Sequence, residues 1–270
     1  LMAREGIASA QPERWLGAGG TPTTAEPYGG DVTLSPSQFE RALACPLRWF
    51  LTTIGADGPS NAAASLGTLV HALAEENPHG SAQELTEALE ARIEELGYNL
   101  DTWAGRHADR RAHAIVDNLA SYMAGVPGRV EVERSVEAQV EGVTIRGRMD
   151  RLEHVDEGVR VTDLKTGKSG YSAKTVPDNP QLAAYQMALL AAGERVAGAR
   201  IALLGDKKPQ SFDQRPLEGE TLEGWREKVR EVAAIARGPY FEATPSEKAC
   251  LYCSFDRLCP ARERGRKVVE

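Results

Sequence analysis

Two short runs concentrate the acid and base chemistry of this chain: Gly147-Arg148-Met149-Asp150-Arg151 and Thr162-Asp163-Leu164-Lys165-Thr166-Gly167. Both lie in stretches where apolar and polar residues alternate, so both read as strands. Residues two apart on a strand share a face, which places Asp163 and Lys165 side by side. A turn at Glu157-Gly158 joins the two strands and brings Asp150 close to Asp163. Two carboxylates and an ammonium then converge at one edge of a sheet. Hard oxygen donors of this kind hold Mg²⁺ or Mn²⁺. Such an ion polarises a phosphate and acidifies a bound water, and a neighbouring lysine orients that water or stabilises transition-state charge. This is equipment for phosphodiester hydrolysis. The same three residues read equally as a cross-strand salt bridge, with Lys165 answering two aspartates.

His71 shifts that balance toward a metal. It sits on a helix in Gly67-Thr68-Leu69-Val70-His71, with Gly67 one turn before it, a small residue that lets this face approach a sheet. Imidazole is a reasonable Mn²⁺ ligand and is tolerable beside Mg²⁺. Gln181 and Tyr185 form another one-turn helical pair, able to face the same groove and bond a phosphate or the metal site. On an ordinary amphipathic helix the pair would be structural only. Gly167-Lys168-Ser169 resembles the end of a phosphate-binding loop, but that motif requires a glycine where Thr162 stands, so we reject it.

The chain has four cysteines: Cys45 stands alone, and Cys250, Cys253 and Cys259 form a Cys-x2-Cys-x5-Cys run followed by Pro260. That spacing suggests thiolate ligation. Three sulfurs do not complete a four-thiolate site, and Cys45 is the one remaining; alone, it would read as a buried helix residue. Spacing leaves Zn²⁺ and an iron–sulfur cluster both open. Nothing marks the chain as secreted, which disfavours two disulfides.

Helices and strands must carry these residues to one place. Residues 1–30 are rich in Gly, Pro, Thr and Ala and read as a linker from an upstream domain. Ser35-Pro36 starts a helix expected to run to about Phe50. Further helices are expected over 62–76, 81–96 and 101–124, the last ending at Gly125 and Pro127. Between Val130 and Val161 the pattern gives three strands in an antiparallel meander. A helix at 180–192, a strand at 195–204 and a helix at 218–237 complete the order, an α/β fold with helices flanking a mixed sheet. Residues 31–270 form one domain in this reading, its catalytic core at about 129–237 and its cysteine-bearing ends at 45 and 250–259. No internal repeat is found.

Composition sets outer bounds. The 270 residues suffice for one α/β domain with additions, and the apolar share is ordinary. No stretch is apolar enough to span a membrane and no secretory h-region opens the chain, so a cytoplasmic protein is expected. A start on Leu1 reads as a piece of a longer protein. The net charge of −7 is unusual for a nucleic-acid partner, whose footprint is normally basic. Acid is concentrated in Glu84, Glu87, Glu90, Glu94, Glu95 and Asp101, which read as a solvated face. Arg257, Arg262, Arg264, Arg266 and Lys267 make a basic C-terminal run, so a local basic groove is compatible with an acidic total.

Taken in order, Gly67-x3-His71, Gly147-x2-Asp150, Asp163-x-Lys165 and Gln181-x3-Tyr185 resemble the RecB-type branch of the PD-(D/E)xK nucleases. The cysteine frame is similar to its iron–sulfur members, of the AddB and CRISPR-associated kinds. The resemblance spans about Leu34 to Pro260. It implies a restriction-endonuclease-like core with helical N-terminal additions and an iron–sulfur-bound C-terminal segment. It implies His71, Asp150, Asp163 and the Leu164 backbone carbonyl as ligands of Mg²⁺ or Mn²⁺, and Lys165 as the catalytic lysine. It implies one 4Fe–4S cluster on Cys45, Cys250, Cys253 and Cys259. The segment Gly6-Ile7-x-Ser9-Ala10-x-Pro12-x2-Trp15 is similar to the joint between motor and nuclease in AdnA/AdnB-type machines. The expected partners are therefore DNA, preferably single-stranded, and helicase motor domains of the same chain or of another subunit, during resection of broken ends. A catalytically silent DNA-binding scaffold and a zinc-stabilised structural module are the alternatives from other classes.

Overall fold

Ser35 is extended and accepts from the Gln38 amide, while the Gln38 side chain accepts from the Ser35 amide; Pro36 fills the first helical position. This reciprocal cap starts helix α1, Pro36–Ala44. The helix does not continue to Phe50 as its apolar pattern suggests. Pro46 has no amide to donate and forces the preceding residue out of the helical region, so Cys45 is extended (φ −166°) and a second helix, α2, runs over Pro46–Thr53. Cys45 is thus a joint between two helices rather than a residue inside one.

This computed structural model describes residues 28–57, 66–126, 128–167, 170–205, 207–251 and 253–262. Most of the expected linker, the start of the 62–76 helix, the Lys168-Ser169 pair and the basic residues beyond Arg262 lie outside them. Helix α3 covers Leu66–Glu76, α4 Ala82–Glu90 and α5 Trp103–Ala124, with a 3-10 turn at Ile93–Leu96. Sequence reading joined that turn to α4. The glutamates of this region are exposed, as expected of a solvated face.

The meander is present. Strands β2 (Val130–Val140), β3 (Val143–Val155) and β4 (Gly158–Lys165) pair antiparallel in succession. Strand β5 (Val196–Leu203) lies parallel to β4. Two strands were not anticipated. The short β1, Val32–Leu34, pairs parallel with Val143–Ile145 of β3, and β6, Gln210–Gln214, closes the far edge against β5. Both are too short or too polar to show a period in sequence.

This topology produces a notch. Strand β2 occupies one edge of β3 along its length. On the other edge β1 covers Val143–Ile145 and β4 covers Arg151–Val155. Residues 146–150 lie between these two partners, and Asp150 is at the rim.

Helix α6 (Pro180–Ala191) is buried along Leu182–Leu189 and lies with α1 and α7 (Gly219–Arg237) on one face of the sheet. Helices α3, α4 and α5 form a second apolar cluster with Leu164, Ala202 and Leu204 on the opposite face. A short α8, Glu247–Cys250, follows α7. No described helix is long and apolar enough to cross a membrane.

Candidate metal centre

The β3–β4 ladder ends at the pair Arg151 and Thr162. Beyond it the strands part, and the Asp150 carboxylate takes the place of a backbone partner by accepting from the Leu164 amide at 2.7 Å. Its other oxygen lies 3.3 Å from His71 Nδ1. Asp163, opposite, is 5 % exposed, accepts from Gln181 Nε2 at 3.0 Å and meets Lys165 Nζ at 2.7 Å. The structure therefore brings together His71, Asp150, Asp163, Lys165 and Gln181, together with the Leu164 backbone.

Two devices hold the strands at this point. Gly147 makes room in front: a Cβ there would lie 2.8 Å from Pro36 Cδ and 2.9 Å from Tyr185 Cε1, so α1 and α6 approach β3 closely because position 147 has no side chain. Tyr185, 7 % exposed, donates its hydroxyl to the Arg148 carbonyl at 2.7 Å and so braces β3. Behind the aspartates, a buried network ties α5 to both strands. Glu153 accepts from the Tyr122 hydroxyl at 2.6 Å and from Arg160 Nη2 at 2.8 Å, with Arg151 Nε 3.9 Å away. Arg151 also donates to the Pro78 carbonyl just beyond α3. A buried charge network of this extent fixes geometry more than it adds stability.

Electrostatics follow from burial and crowding. Burial, reinforced by Asp150, pushes the Asp163 carboxyl up to about 6 despite Lys165 beside it. The hydrogen bond to Asp150 raises His71, outweighing the effect of its burial. Burial alone would lower Lys165, but Asp163, Tyr171 and Asp150 hold it above its usual value.

Sequence reading did not single out Glu133. Val132 pairs with Arg151 and Arg134 with Met149, so Glu133 falls opposite Asp150, with a left-handed φ of 50°. One ligand atom each from His71, Glu133 and Asp150 lie within 4.8 Å of one another. Burial raises the Glu133 carboxyl. Arg148 pairs with Glu133 and also with Glu75, at 2.9 Å from the latter. The signal available in sequence was the position of Glu133 on the strand before Asp150, recoverable only with the register. Tyr171, near enough to Lys165 to shift it, was also missed.

An imidazole and neighbouring carboxylates within this distance suit a hard or borderline divalent cation. The cysteines are arranged more loosely. All four are free and partly exposed, and no three of their sulfurs lie within 4.8 Å of one another. Four thiolates on one zinc would be closer, at about 3.8 Å given tetrahedral bonds of roughly 2.3 Å. The backbone around them is nevertheless drawn together. Arg48 Nη1 donates to the Ala249 carbonyl at 2.8 Å, Thr244 to the Ala44 carbonyl at 2.9 Å, and the Leu47 amide to the Glu242 carbonyl at 3.0 Å.

The gene 69 protein of Mycobacterium phage D29 is 25 % identical over 267 residues, which cover 84 % of this chain and 96 % of that protein. Among solved structures, SSO0001 superposes with a TM-score of 0.44 at 16 % identity, over 86 % of this chain and 88 % of that one. A candidate exonuclease from Eubacterium rectale gives 0.47 at 15 % identity, over 80 % and 85 %. The model of the PD-(D/E)XK nuclease superfamily matches residues 33–260. That span takes in both strands of the notch and all four cysteines, and the chain belongs to the PD-(D/E)XK nuclease superfamily.

Proposed function

We propose that this protein is a divalent-metal-dependent deoxyribonuclease of the RecB type that cuts single-stranded DNA as the nuclease part of a helicase–nuclease resecting broken ends. The convergence of His71, Asp150, Asp163 and Lys165 at the rim of the β3 notch carries the reading. His71, Asp150, Asp163 and the Leu164 carbonyl would hold Mg²⁺ or Mn²⁺. Bound there, the ion would supply an acidified water and charge neutralisation at the phosphate. Lys165 keeps its proton beside Asp163 and presents an ammonium to charge developing on the phosphate oxygens. Gln181 orients Asp163, and with Tyr185, tied to the Arg148 carbonyl, it would form the wall that faces the substrate. Asp150 is oriented by the Leu164 amide and His71.

In this reading one 4Fe–4S cluster on Cys45, Cys250, Cys253 and Cys259 clips the ends of the domain, with four-thiolate zinc as the alternative. The pairing of residues 44–48 with 242–249 supports a shared site for cysteines so distant in sequence. The cluster would be structural, because hydrolysis of a phosphodiester moves no electrons.

Cleavage of labelled single-stranded DNA with Mg²⁺ or Mn²⁺ tests the assignment. Asp163→Ala and Asp150→Ala should abolish cleavage with the fold retained. Lys165→Ala should still bind metal and DNA, and lose turnover by roughly a hundredfold to a thousandfold. Wild-type cleavage that persists in excess EDTA would overturn the metal-dependent reading.

A further inference from the structure

Outside the notch, α5 carries a face unlike the rest of this acidic molecule. Trp103, Arg106, His107, Arg110 and Arg111 are all exposed. Their spacing of i, i+3, i+4, i+7 and i+8 puts them in one stripe along the helix. At 71 %, Trp103 is the most exposed large apolar side chain among the described residues. Its indole stacks on His107, with centroids 5.3 Å apart and planes within 6°. A large flat ring is thus held open to solvent with one face supported, where burial is the usual fate of tryptophan.

Among the described residues, no carboxylate pairs with the arginines of the stripe. Arg110 makes no hydrogen bond or ion pair with the described residues, and Arg106 donates to the backbone carbonyls of Leu100 and Asp101. Arg111 donates to the Thr166 carbonyl at 3.3 Å, and Thr166 follows Lys165 directly in the chain. The stripe therefore begins at the strand end that carries Asp163 and Lys165. The acid of α5 is elsewhere: Asp109 pairs with His113, which also faces Glu90 of α4, and exposed Asp117 lies a further two turns past Arg110.

We propose that this stripe is the track on which a single DNA strand reaches the metal centre, its bases stacking on Trp103 and its phosphates lying against Arg106, Arg110 and Arg111. Cationic side chains interleaved with an exposed ring match the alternating phosphates and bases of an unpaired strand. A duplex hides its base faces and would leave the indole unused. The eight steps from Trp103 to Arg111 rise about 12 Å, room for roughly two to four nucleotides. The track rests on the nuclease reading for its direction, but binding can be measured without cleavage.

The test is the affinity of the intact protein for fluorescein-labelled oligo(dT) in EDTA, followed by anisotropy across a salt series. Trp103→Ala should weaken binding about tenfold, within the range of one lost base stack, and Trp103→Phe should restore most of it. Arg110→Ala should weaken binding and reduce the salt slope by about 0.7, the value for one single-strand phosphate contact. A duplex of equal length should be insensitive to Trp103→Ala. Wild-type affinity in both alanine variants overturns the track, as does an equal loss on single and double strands. Failure of the wild type to hydrolyse bis(p-nitrophenyl) phosphate in Mn²⁺, with the effects on oligo(dT) intact, would remove the nuclease reading and leave the track standing.

Discussion

Asp150 is where the chemistry of the notch branches. One oxygen turns to the Leu164 amide and the other to His71, with Glu133 across the strand pair. Glu133 is held in an unfavourable left-handed conformation and in a desolvated position, which a bound cation would compensate. Glu133→Gln should weaken Mn²⁺ binding about tenfold, the lower end of the range for residues supporting a metal site, with little change in turnover at saturating metal. An unchanged calorimetric dissociation constant would leave Glu133 only its role as a partner of Arg148. The pH response follows from two groups raised in the fold, His71 above 6.5 and Asp163 to about 6. A raised group favours the folded state below its unfolded value, and that contribution is lost as pH rises through the folded value. A metal ion needs both groups deprotonated and so acts in the opposite sense. The gain in Tm from saturating Mn²⁺ should be small at about pH 5, grow as pH rises through the Asp163 value, and level off above that of His71. A pH-independent gain would place the ion elsewhere. Asp150, Asp163, Lys165 and His71 were legible in sequence because their types and order are distinctive. Glu133 was not, since a glutamate on a strand is ordinary until the register puts it opposite Asp150.

At the scale of elements, the notch depends on how closely α1 and α6 approach β3. Position 147 sets that distance. Gly147→Ala would drive a methyl group into the Pro36 ring and the Tyr185 ring, at 2.8 Å and 2.9 Å. Neither yields easily, because Pro36 opens α1 beneath its cap and Tyr185 is tied to the Arg148 carbonyl. Overpacking of this kind costs on the order of 1–3 kcal/mol, or a fall in Tm of about 5 °C for a domain this size. Gln181 moves with α6, so the mutant should also lose Mn²⁺ affinity. A mutant with wild-type Tm would show that the helices are free to retreat. The long elements were readable from their periods, and the boundaries of α5, α6 and α7 fall within two residues of expectation. The helix expected from Pro36 to Phe50 was misjudged, because the apolar pattern continues through Cys45 whereas the missing amide of Pro46 breaks the backbone. Strand β1 has three residues, too few for an alternation to register, yet it forms one wall of the notch.

For the molecule as a whole, the two ends of the domain meet around the cysteines. A four-cysteine site was anticipated from spacing, but how the ends approach each other was not, because it depends on contacts between residues some 200 positions apart, such as Arg48 with Ala249 and Thr244 with Ala44. Phe241 adds to this by stacking on Phe50 at 4.2 Å and meeting the Trp49 edge at 5.8 Å. These contacts bear on what a cluster contributes. In a chain whose ends were free, ligation would have to close a very long loop, at a cost of about 5 kcal/mol. Here packing up to Ala249 closes most of it, so ligation would chiefly order the segment from Cys250 to Arg262. Cys45→Ala or Cys250→Ala should therefore lose the metal, lower Tm and expose that segment to protease, while the sheet stays folded and Mn²⁺ still binds at the notch. Collapse of the sheet in either variant would show instead that the cluster is needed to form the domain. Anaerobically purified protein should absorb near 400 nm and carry about four irons per chain. One zinc without iron or colour would replace the cluster by a four-thiolate zinc site, and it would leave the proposed nuclease site untouched, because that proposal rests on His71, Asp150, Asp163 and Lys165.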